Sequence, residues 1–189
     1  MRAEIEAKLK VDSLADVERK LRECDASFVR ETVQRDTYFD TADRDLTRRD
    51  ECLRLRQEKI GQRERLTLAY KGPKEPDDYK KRTEIEVQVG DADATESLLA
   101  ALGHEKALTF DKRRRLWKLL DCEVALDELP LLGVFVEVEG PDSGAIWRVQ
   151  EMLGLSHVPH TMDSYASLIE KELSRLGEGR RAVYLEDRK

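Results

Sequence analysis

The sequence predicts an α+β fold in which an antiparallel sheet closes into an eight-stranded β-barrel with helices packed outside it. Charged and apolar residues alternate along most of the predicted strands, and this separates a charged face from an apolar face. Most strands follow one another as hairpins, which is typical of an antiparallel sheet. The predicted helices are amphipathic and need the apolar face of the sheet as a partner. The charged face therefore has to line the inside of the barrel, as a polar tunnel.

Length and composition limit the possible classes of protein. The chain has 189 residues, of which 40% are hydrophobic, so it can bury one sizeable core. We expect one domain over residues 1–176 and a charged tail over 177–189 with the composition of a disordered segment. A formal net charge of -6 does not favour a broad nucleic-acid-binding face. Scattered cysteines and the lack of a long apolar run predict a soluble cytoplasmic protein without a membrane partner.

The first forty residues predict a strand, a helix and two further extended pieces. The strand over residues 2–11 alternates charged and apolar side chains over its whole length. Ser13 offers an N-cap for a helix over 13–24, whose apolar residues have helical spacing. Two extended pieces follow it, at 27–31 and 34–40.

The middle of the chain predicts a hairpin, a loop and a further strand. The hairpin strands cover 52–59 and 64–71, and Gly61 lies at their turn. Two prolines in the segment 72–78 are incompatible with a strand, so we expect a flexible flap there. Alternation resumes over 79–89.

The remaining elements complete the sheet and its helical layer. A helix over 92–102 ends before Gly103, which suits the position after a helix C-terminus. Three strands and then two helices follow, over residues 109–120, 123–128, 134–140, 143–153 and 164–176.

The predicted inward face carries acids and bases in nearly equal number. These residues are Glu4, Glu6, Glu84, Glu86, Asp127, Glu137 and Glu139 beside Lys8, Arg54, Arg56, Lys71, Arg82, Lys112 and Arg114. Mutual pairing accounts for some of them, Glu84 and Glu86 in particular, but ion pairs contribute little to a pure scaffold. Arginine and lysine suit phosphate oxygens, and clustered carboxylates suit Mg²⁺ or Mn²⁺. The combination predicts a polyphosphate bound together with a metal ion.

The same residues form an ordered series of motifs. They are Glu4-x-Glu6-x-Lys8, Leu53-Arg54-Leu55-Arg56, Tyr70-Lys71-Gly72-Pro73, Arg82-x-Glu84-x-Glu86, Lys112-x-Arg114, Asp127 and Glu137-x-Glu139. Each motif is weak alone, but the series resembles that of the CYTH superfamily, the triphosphate tunnel metalloenzymes. The resemblance implies an eight-stranded antiparallel tunnel with helices outside, in agreement with the alternation of the strands.

The resemblance also implies roles for individual residues. The metal ligands would be Glu4, Glu6, Asp127, Glu137 and Glu139, with Mg²⁺ or Mn²⁺ as the cofactor. The triphosphate would be bound by Lys8, Arg54, Arg56, Lys71, Arg82, Lys112 and Arg114. Among these cations, Lys8, Arg56 and Lys71 would act in catalysis.

Two activities are compatible with such a tunnel. The segment after Lys71 is more similar to the class IV adenylyl cyclase branch, which implies conversion of ATP into cyclic AMP and pyrophosphate. The alternative is a triphosphatase that hydrolyses inorganic tripolyphosphate, thiamine triphosphate or a nucleoside triphosphate. A non-catalytic polyphosphate-binding module is disfavoured because both glutamate pairs are intact. The resemblance further implies a homodimer.

Overall fold

The computed structural model describes residues 2–61, 63–76 and 79–186, and over this part the chain forms nine strands and five helices. The strands are β1 (Arg2–Val11), β2 (Ser27–Asp40), β3 (Cys52–Ile60), β4 (Arg63–Lys71), β5 (Lys80–Val89), β6 (Glu105–Leu119), β7 (Cys122–Leu129), β8 (Gly133–Glu139) and β9 (Ala182–Val183). The helices are α1 (Leu14–Glu23), α2 (Asp45–Arg48), α3 (Ala92–Ala101), α4 (Ser143–Met152) and α5 (Tyr165–Arg175).

Eight of the strands form a closed antiparallel barrel. Their order is β2-β3-β4-β5-β1-β8-β7-β6, and β6 pairs with β2 to close the ring. Every pairing around this ring is antiparallel. The predicted α+β class and the predicted eight-stranded barrel are therefore confirmed.

The alternation of β1 explains how the barrel wall separates its two faces. Glu6 lies opposite Lys80 of β5 and Glu139 of β8, so these three side chains share the inner face. Ala7 and Leu9 point outward, are 1% and 0% exposed, and pack in the main core with residues of α1 and α4. Burial of a side chain such as Leu9 contributes about 1.5–3 kcal/mol. The core thus lies between the outside of the barrel and the helices.

Helix α5 covers one end of the lumen. Phe110 and Phe135 alternate in phase with the inward residues of their strands, and both lie in a cluster with Tyr165 and Ile169 of α5. The ring of Tyr165 meets the ring of Phe135 edge-on, with the centroids 5.3 Å apart. This packing brings the first turn of α5 against the charged part of the tunnel.

Three elements differ from the sequence prediction. The two expected extended pieces at 27–31 and 34–40 are one strand, β2, because its pairing with β6 runs from Ser27 to Asp40 with only local register shifts. Helix α2 was not predicted, and the buried Asp40 carboxylate accepts the backbone N–H groups of Leu46 and Thr47 in it. Strand β6 begins at Glu105, earlier than expected.

The segment expected to be a disordered tail is partly ordered. Strand β9 pairs in parallel with β6 at Thr109 and Phe110, and Val183 is 0% exposed within the cluster around α5. Residues 187–189 lie outside the described residues, as do residues 77 and 78 of the predicted flap. Among the described residues, no helix combines the length and the apolar character needed to cross a membrane.

Candidate functional site: a charged tunnel

The lumen contains a cavity of about 490 Å³ with a wall of charged side chains. Every residue predicted to face inward lines this cavity except Asp127. Asp127 shares the inner face with Arg114, its partner on β6, but it is 0% exposed because Arg114 and Tyr165 of α5 cover its carboxylate. The period-two alternation of the strands therefore brings the predicted acids and bases together in one lumen.

Glutamates of β1 are paired with lysines of β5 and β4, the next two strands along the same side of the barrel wall. Glu6 accepts a hydrogen bond of 2.6 Å from Lys80 Nζ, and Glu4 accepts bonds of 2.8 and 2.6 Å from Lys71 Nζ. Burial lowers the pKa of Lys80, but the charges of Glu6 and Glu137 outweigh it, so the net shift is upward. Lys80 is therefore a cation at neutral pH, and each of these glutamates has a counter-charge.

Arg114 connects the carboxylates of β7 and β8. Its Nε donates to Asp127 Oδ1 at 2.7 Å, and its Nη2 contacts both Asp127 and Glu137. Asp127 also accepts a hydrogen bond of 3.0 Å from the hydroxyl of Tyr165. Burial raises the pKa of Glu137, and the charges of Arg114 and Lys8 outweigh that effect and lower it well below its ordinary range. Glu137 is therefore a carboxylate at neutral pH.

Two lysines lie against the ring of Tyr165. Lys8 Nζ is 4.2 Å from the ring centroid and Lys112 Nζ is 5.2 Å from it, both within the range of a cation–π contact. Lys8 Nζ also donates to the Asp163 carbonyl oxygen at 2.9 Å. Burial and the nearby Arg114 lower the pKa of Lys112 to about 7, against the opposing effect of Asp127. Lys112 is thus a weakly compensated buried amine.

Two arginines have hydrogen-bond donors without a partner. The Nε atoms of Arg54 and Arg82 are buried, and neither has a hydrogen-bond partner among the residues that the structure describes. Arg54 Nη2 is 3.6 Å from Glu86 and 3.9 Å from Glu84, and Arg82 Nη2 is 3.6 Å from Asp50. Such buried, unsatisfied donors are rare in proteins and often mark a ligand site.

Comparison with known proteins identifies the family. The sequence profile of the CYTH domain matches residues 2–153. The chain belongs to the CYTH family.

Relatives of this CYTH protein include a curated protein of Methanocaldococcus jannaschii named "Putative adenylate cyclase MJ0240". The two are 34% identical over 136 residues, which cover 72% of this chain and 75% of the relative. The solved structure of the PH1819 protein from Pyrococcus horikoshii OT3 is 29% identical, has a TM-score of 0.79, and aligns over 89% of this chain and 99% of its own.

A more distant structure shares the fold. It is the Hippeastrum protein described as "Putative adenylyl cyclase HpAC1", which is reported to have a dominant triphosphatase activity. The alignment covers 93% of this chain and 96% of that chain, with a TM-score of 0.68 and 17% identity. At this identity the likeness shows the fold alone.

The carboxylates of the CYTH tunnel fit a hard divalent cation by their chemistry and their register. Glu6 and Glu139 are partners across β1 and β8, and Glu137 lies two residues from Glu139 on the same face. Oxygen ligands of this kind suit Mg²⁺ and Mn²⁺. Lysine and arginine partners hold Glu4, Glu6 and Glu137 apart, and within the described residues no three acidic, histidine or cysteine side chains converge as a metal site. A metal ion would therefore have to compete with these cations.

The sequence prediction missed several residues of the tunnel, among them Lys80, Asp36 and Tyr165. Lys80 lies two positions before Arg82 and shares its face, so the alternation of β5 contained the signal for it. Asp36 of β2 is 1% exposed and binds the Arg56 guanidinium, although the prediction gave only an extended piece over 34–40 without site residues. Tyr165 reaches the tunnel from a helix, and no strand pattern could reveal that position.

Proposed function

We propose that this CYTH protein is a metal-dependent enzyme that converts ATP into cyclic AMP and pyrophosphate in its tunnel. The observation that carries the proposal is the set of buried cations without full compensation. Arg54 and Arg82 have unpartnered Nε donors, and Lys112 Nζ is 3.7 Å from Asp127, beyond hydrogen-bond distance. Phosphate oxygens would supply the missing acceptors and negative charge.

The tunnel residues would position the triphosphate and neutralise its charge. Lys8, Arg54, Arg56, Lys71, Arg82, Lys112 and Arg114 would contact its oxygens, as the family resemblance implies. Arg56 would be held in place by Asp36, and Lys8 by the ring of Tyr165. Fixed cations in a buried site stabilise charge that develops on a leaving group, because they need no reorganisation during the reaction. Pyrophosphate would be that leaving group.

Glu4, Glu6, Glu137 and Glu139, with Asp127, would hold the metal ion. Mg²⁺ or Mn²⁺ bound there would supply Lewis-acid charge to the phosphate oxygens. The 3′-hydroxyl oxygen of ATP would attack the α-phosphorus and pass its proton to a tunnel carboxylate or to water, while the bond from the α-phosphorus to the bridging oxygen breaks and pyrophosphate leaves with that electron pair. The name of the M. jannaschii relative, which is 34% identical, supports the cyclase assignment.

The second candidate is a triphosphatase, in which water attacks the γ-phosphorus, the diphosphate part leaves with the bridging oxygen, and orthophosphate is formed. The same cations would serve this reaction, because they bind phosphate oxygens and not the organic group. The reported activity of the Hippeastrum protein, which has the same fold, supports this candidate.

We further propose that the protein is a cytoplasmic homodimer without nucleic-acid or membrane partners. Light scattering after gel filtration measures the mass of the assembly and tests the homodimer.

Product identification separates these functions. The protein is incubated with ATP or with tripolyphosphate, each with Mg²⁺ or Mn²⁺, and the products are separated. Cyclic AMP with pyrophosphate supports the cyclase, and orthophosphate supports the triphosphatase. Tight binding without turnover would indicate the non-catalytic module instead. Two matched variants show whether the activity belongs to the tunnel. Arg82→Met changes a tunnel residue, and Arg113→Met changes an outer residue whose side chain is 45% exposed.

A further inference from the structure

Gln34 and Glu58 form a buried polar pair that the triphosphate assignment does not use. They are partners across β2 and β3, they are 3% and 5% exposed, and both line the tunnel cavity. A buried amide and a buried carboxylate at the wall of a cavity need a reason beyond packing.

Glu58 fixes the orientation of the Gln34 side chain. Its Oε1 accepts hydrogen bonds from Gln34 Nε2 at 2.7 Å and from Thr32 Oγ1 at 3.1 Å. Burial raises the pKa of Glu58, but the hydrogen bonds from Gln34 and Thr32 outweigh it and lower the pKa. A carboxylate can only accept, so the Gln34 amide cannot flip without placing two acceptors against each other.

The amide oxygen of Gln34 is therefore held as an acceptor. It is buried and has no hydrogen-bond partner within the described part of the chain. The large majority of buried polar atoms in proteins have a partner. An oriented acceptor of this kind is complementary to an N–H or O–H group of a ligand.

The acceptor lies next to the cations assigned to the triphosphate. Gln34 is the partner of Lys112 across β2 and β6, and Asp36, two residues further on, binds Arg56. Leu116 lies two inward positions after Lys112 on β6, and its partner on β7 is Ala125. Both residues line the cavity. Leu116 and Ala125 are apolar residues of an otherwise charged lumen, flanked by Arg30, the partner of Leu116 on β2, and by Glu137, the partner of Ala125 on β8. Apolar side chains beside an oriented polar atom suit an organic group.

We propose that Gln34, Glu58, Thr32, Leu116 and Ala125 form a subsite for a hydrogen-bond-donating organic group attached to the triphosphate. We call these five residues the Gln34 subsite. The donor is the amino group of a base or a hydroxyl of a ribose, and Gln34 Oε1 accepts from it. This inference rests on the proposed function, because it assumes that the adjacent cations bind the triphosphate.

Analogues that lack one donor at a time test the subsite. The ligands are ATP, purine riboside triphosphate without the amino group, 2′-deoxy-ATP without the 2′-hydroxyl, and tripolyphosphate without any organic group. Dissociation constants come from calorimetry in metal-free buffer, and kcat/KM is measured with Mg²⁺. We expect wild type to bind ATP about tenfold more tightly than at least one nucleotide analogue. The analogue that loses affinity identifies the donor.

Variants show whether Gln34 makes the discrimination. Gln34→Leu should raise the dissociation constant for ATP about tenfold and remove the preference for ATP over that analogue. The dissociation constant for tripolyphosphate should stay within about twofold of the wild-type value. Glu58→Gln allows the amide to turn, so it should reduce the same preference. Gln57→Leu, which alters the neighbouring outward position of β3, is the control. It should retain wild-type discrimination.

The outcomes separate this inference from the proposed function. The subsite would be overturned if Gln34→Leu lost affinity for ATP and for tripolyphosphate equally. It would also be overturned if wild type did not discriminate among the nucleotides. Binding of tripolyphosphate with exclusion of all nucleotides would also overturn it, while leaving triphosphate binding intact. Failure of wild type to bind tripolyphosphate would remove the proposed function and the subsite together.

Discussion

Asp36 and Arg56 form a two-point ion pair inside the tunnel. Arg56 Nε donates to Asp36 Oδ1 at 2.7 Å, and Arg56 Nη2 donates to Asp36 Oδ2 at 2.7 Å. Burial raises the pKa of Asp36, and the charges of Arg56 and Arg54 outweigh it and lower the pKa well below its ordinary range. The pair fixes the guanidinium plane of Arg56, so that its remaining nitrogen, Nη1, is available for a ligand.

Asp36→Asn should therefore impair both stability and activity. The amide leaves the buried charge of Arg56 without a counter-charge, and such a loss costs about 3–5 kcal/mol of unfolding free energy. We expect kcat/KM for the triphosphate to fall at least about tenfold, because a catalytic cation is no longer held in place. Urea unfolding and steady-state kinetics measure the two effects.

The matched control for this change is Asp111→Asn. Asp111 binds Arg35 with the same two-point geometry on the outside of the barrel, where the side chains of Asp111 and Arg35 are 11% and 47% exposed. Water can solvate the Arg35 guanidinium when the pair is broken, and the pair lies outside the lumen, so this variant should keep its activity. Equal effects of the two substitutions would show that Asp36 has no special role in the tunnel.

The alternation of residues along the strands predicted most of the tunnel wall. It placed the glutamates of β1 and β8 and the cations of β3 and β5 on one face, because a strand exposes alternate side chains to each side. It could not predict which charged side chains pair. Lys71 of β4 and Glu4 of β1 are neighbours only because of the order of the strands in the barrel. Asp36 was missed because polar residues occupy both faces of β2 around it, in Gln34-Arg35-Asp36-Thr37, so the alternation there does not single out an inner face.

Other features depend on tertiary contacts that no local pattern contains. Helix α2 has only four residues, and its first N–H groups are bound by Asp40, which precedes it in the chain. Strand β9 forms because Val183 packs with Phe110 and Leu129, although Arg180, Arg181 and Glu186 lie close to it in sequence. Tyr165 enters the tunnel because α5 lies across its end.

Glu6→Gln and Glu137→Gln should each abolish metal-dependent turnover while the protein remains folded. Each variant replaces a carboxylate assigned to Mg²⁺ or Mn²⁺ with a neutral amide, which is a much weaker ligand for a hard cation. Metal titrations of activity measure the effect, and circular dichroism checks the fold. Glu31→Gln, on the exposed outer face, is the control. Unchanged activity in both tunnel variants would exclude the metal assignment.

Arg54→Met and Arg82→Met should each weaken the binding of tripolyphosphate about tenfold or more. Each removes a buried guanidinium with an unpartnered donor, and a charge-assisted hydrogen bond to phosphate is stronger than a neutral one. In wild type, saturation at 100 times the dissociation constant should stabilise the fold by about 2.7 kcal/mol. Thermal unfolding with added tripolyphosphate measures this gain. If both variants were stabilised by tripolyphosphate as much as wild type, the assignment would be contradicted. Arg113→Met is the control and should be stabilised like wild type.

Asp40→Asn should destabilise the protein in a pH-dependent way. Burial raises the pKa of Asp40, but hydrogen bonds from Thr47, Leu46 and Thr41 outweigh it and hold the pKa below its ordinary value of 3.8. A carboxyl group with a lowered pKa stabilises the fold fully above its unfolded pKa, and this contribution is lost as the pH falls through the folded value. At neutral pH the variant should lose about 1–2 kcal/mol.

Urea unfolding at a series of pH values measures this difference. The gap between wild type and Asp40→Asn should narrow as the pH falls below 3.8, the ordinary value for aspartate. Asp43→Asn, at an exposed position of the same turn, should match wild type throughout. A gap that stays constant across the whole range would mean that the carboxylate charge does not stabilise α2.

A crystal structure of the protein grown with tripolyphosphate and Mg²⁺ tests the central claim most directly. We predict that the three phosphates lie in the lumen, with oxygens within hydrogen-bond distance of Arg54 Nε, Arg82 Nε and Lys112 Nζ. The Glu6–Lys80 and Glu4–Lys71 pairs should open as the carboxylates turn toward the metal ion. Tripolyphosphate bound only outside the barrel, or a lumen whose ion pairs are unchanged at saturating ligand, would contradict the account.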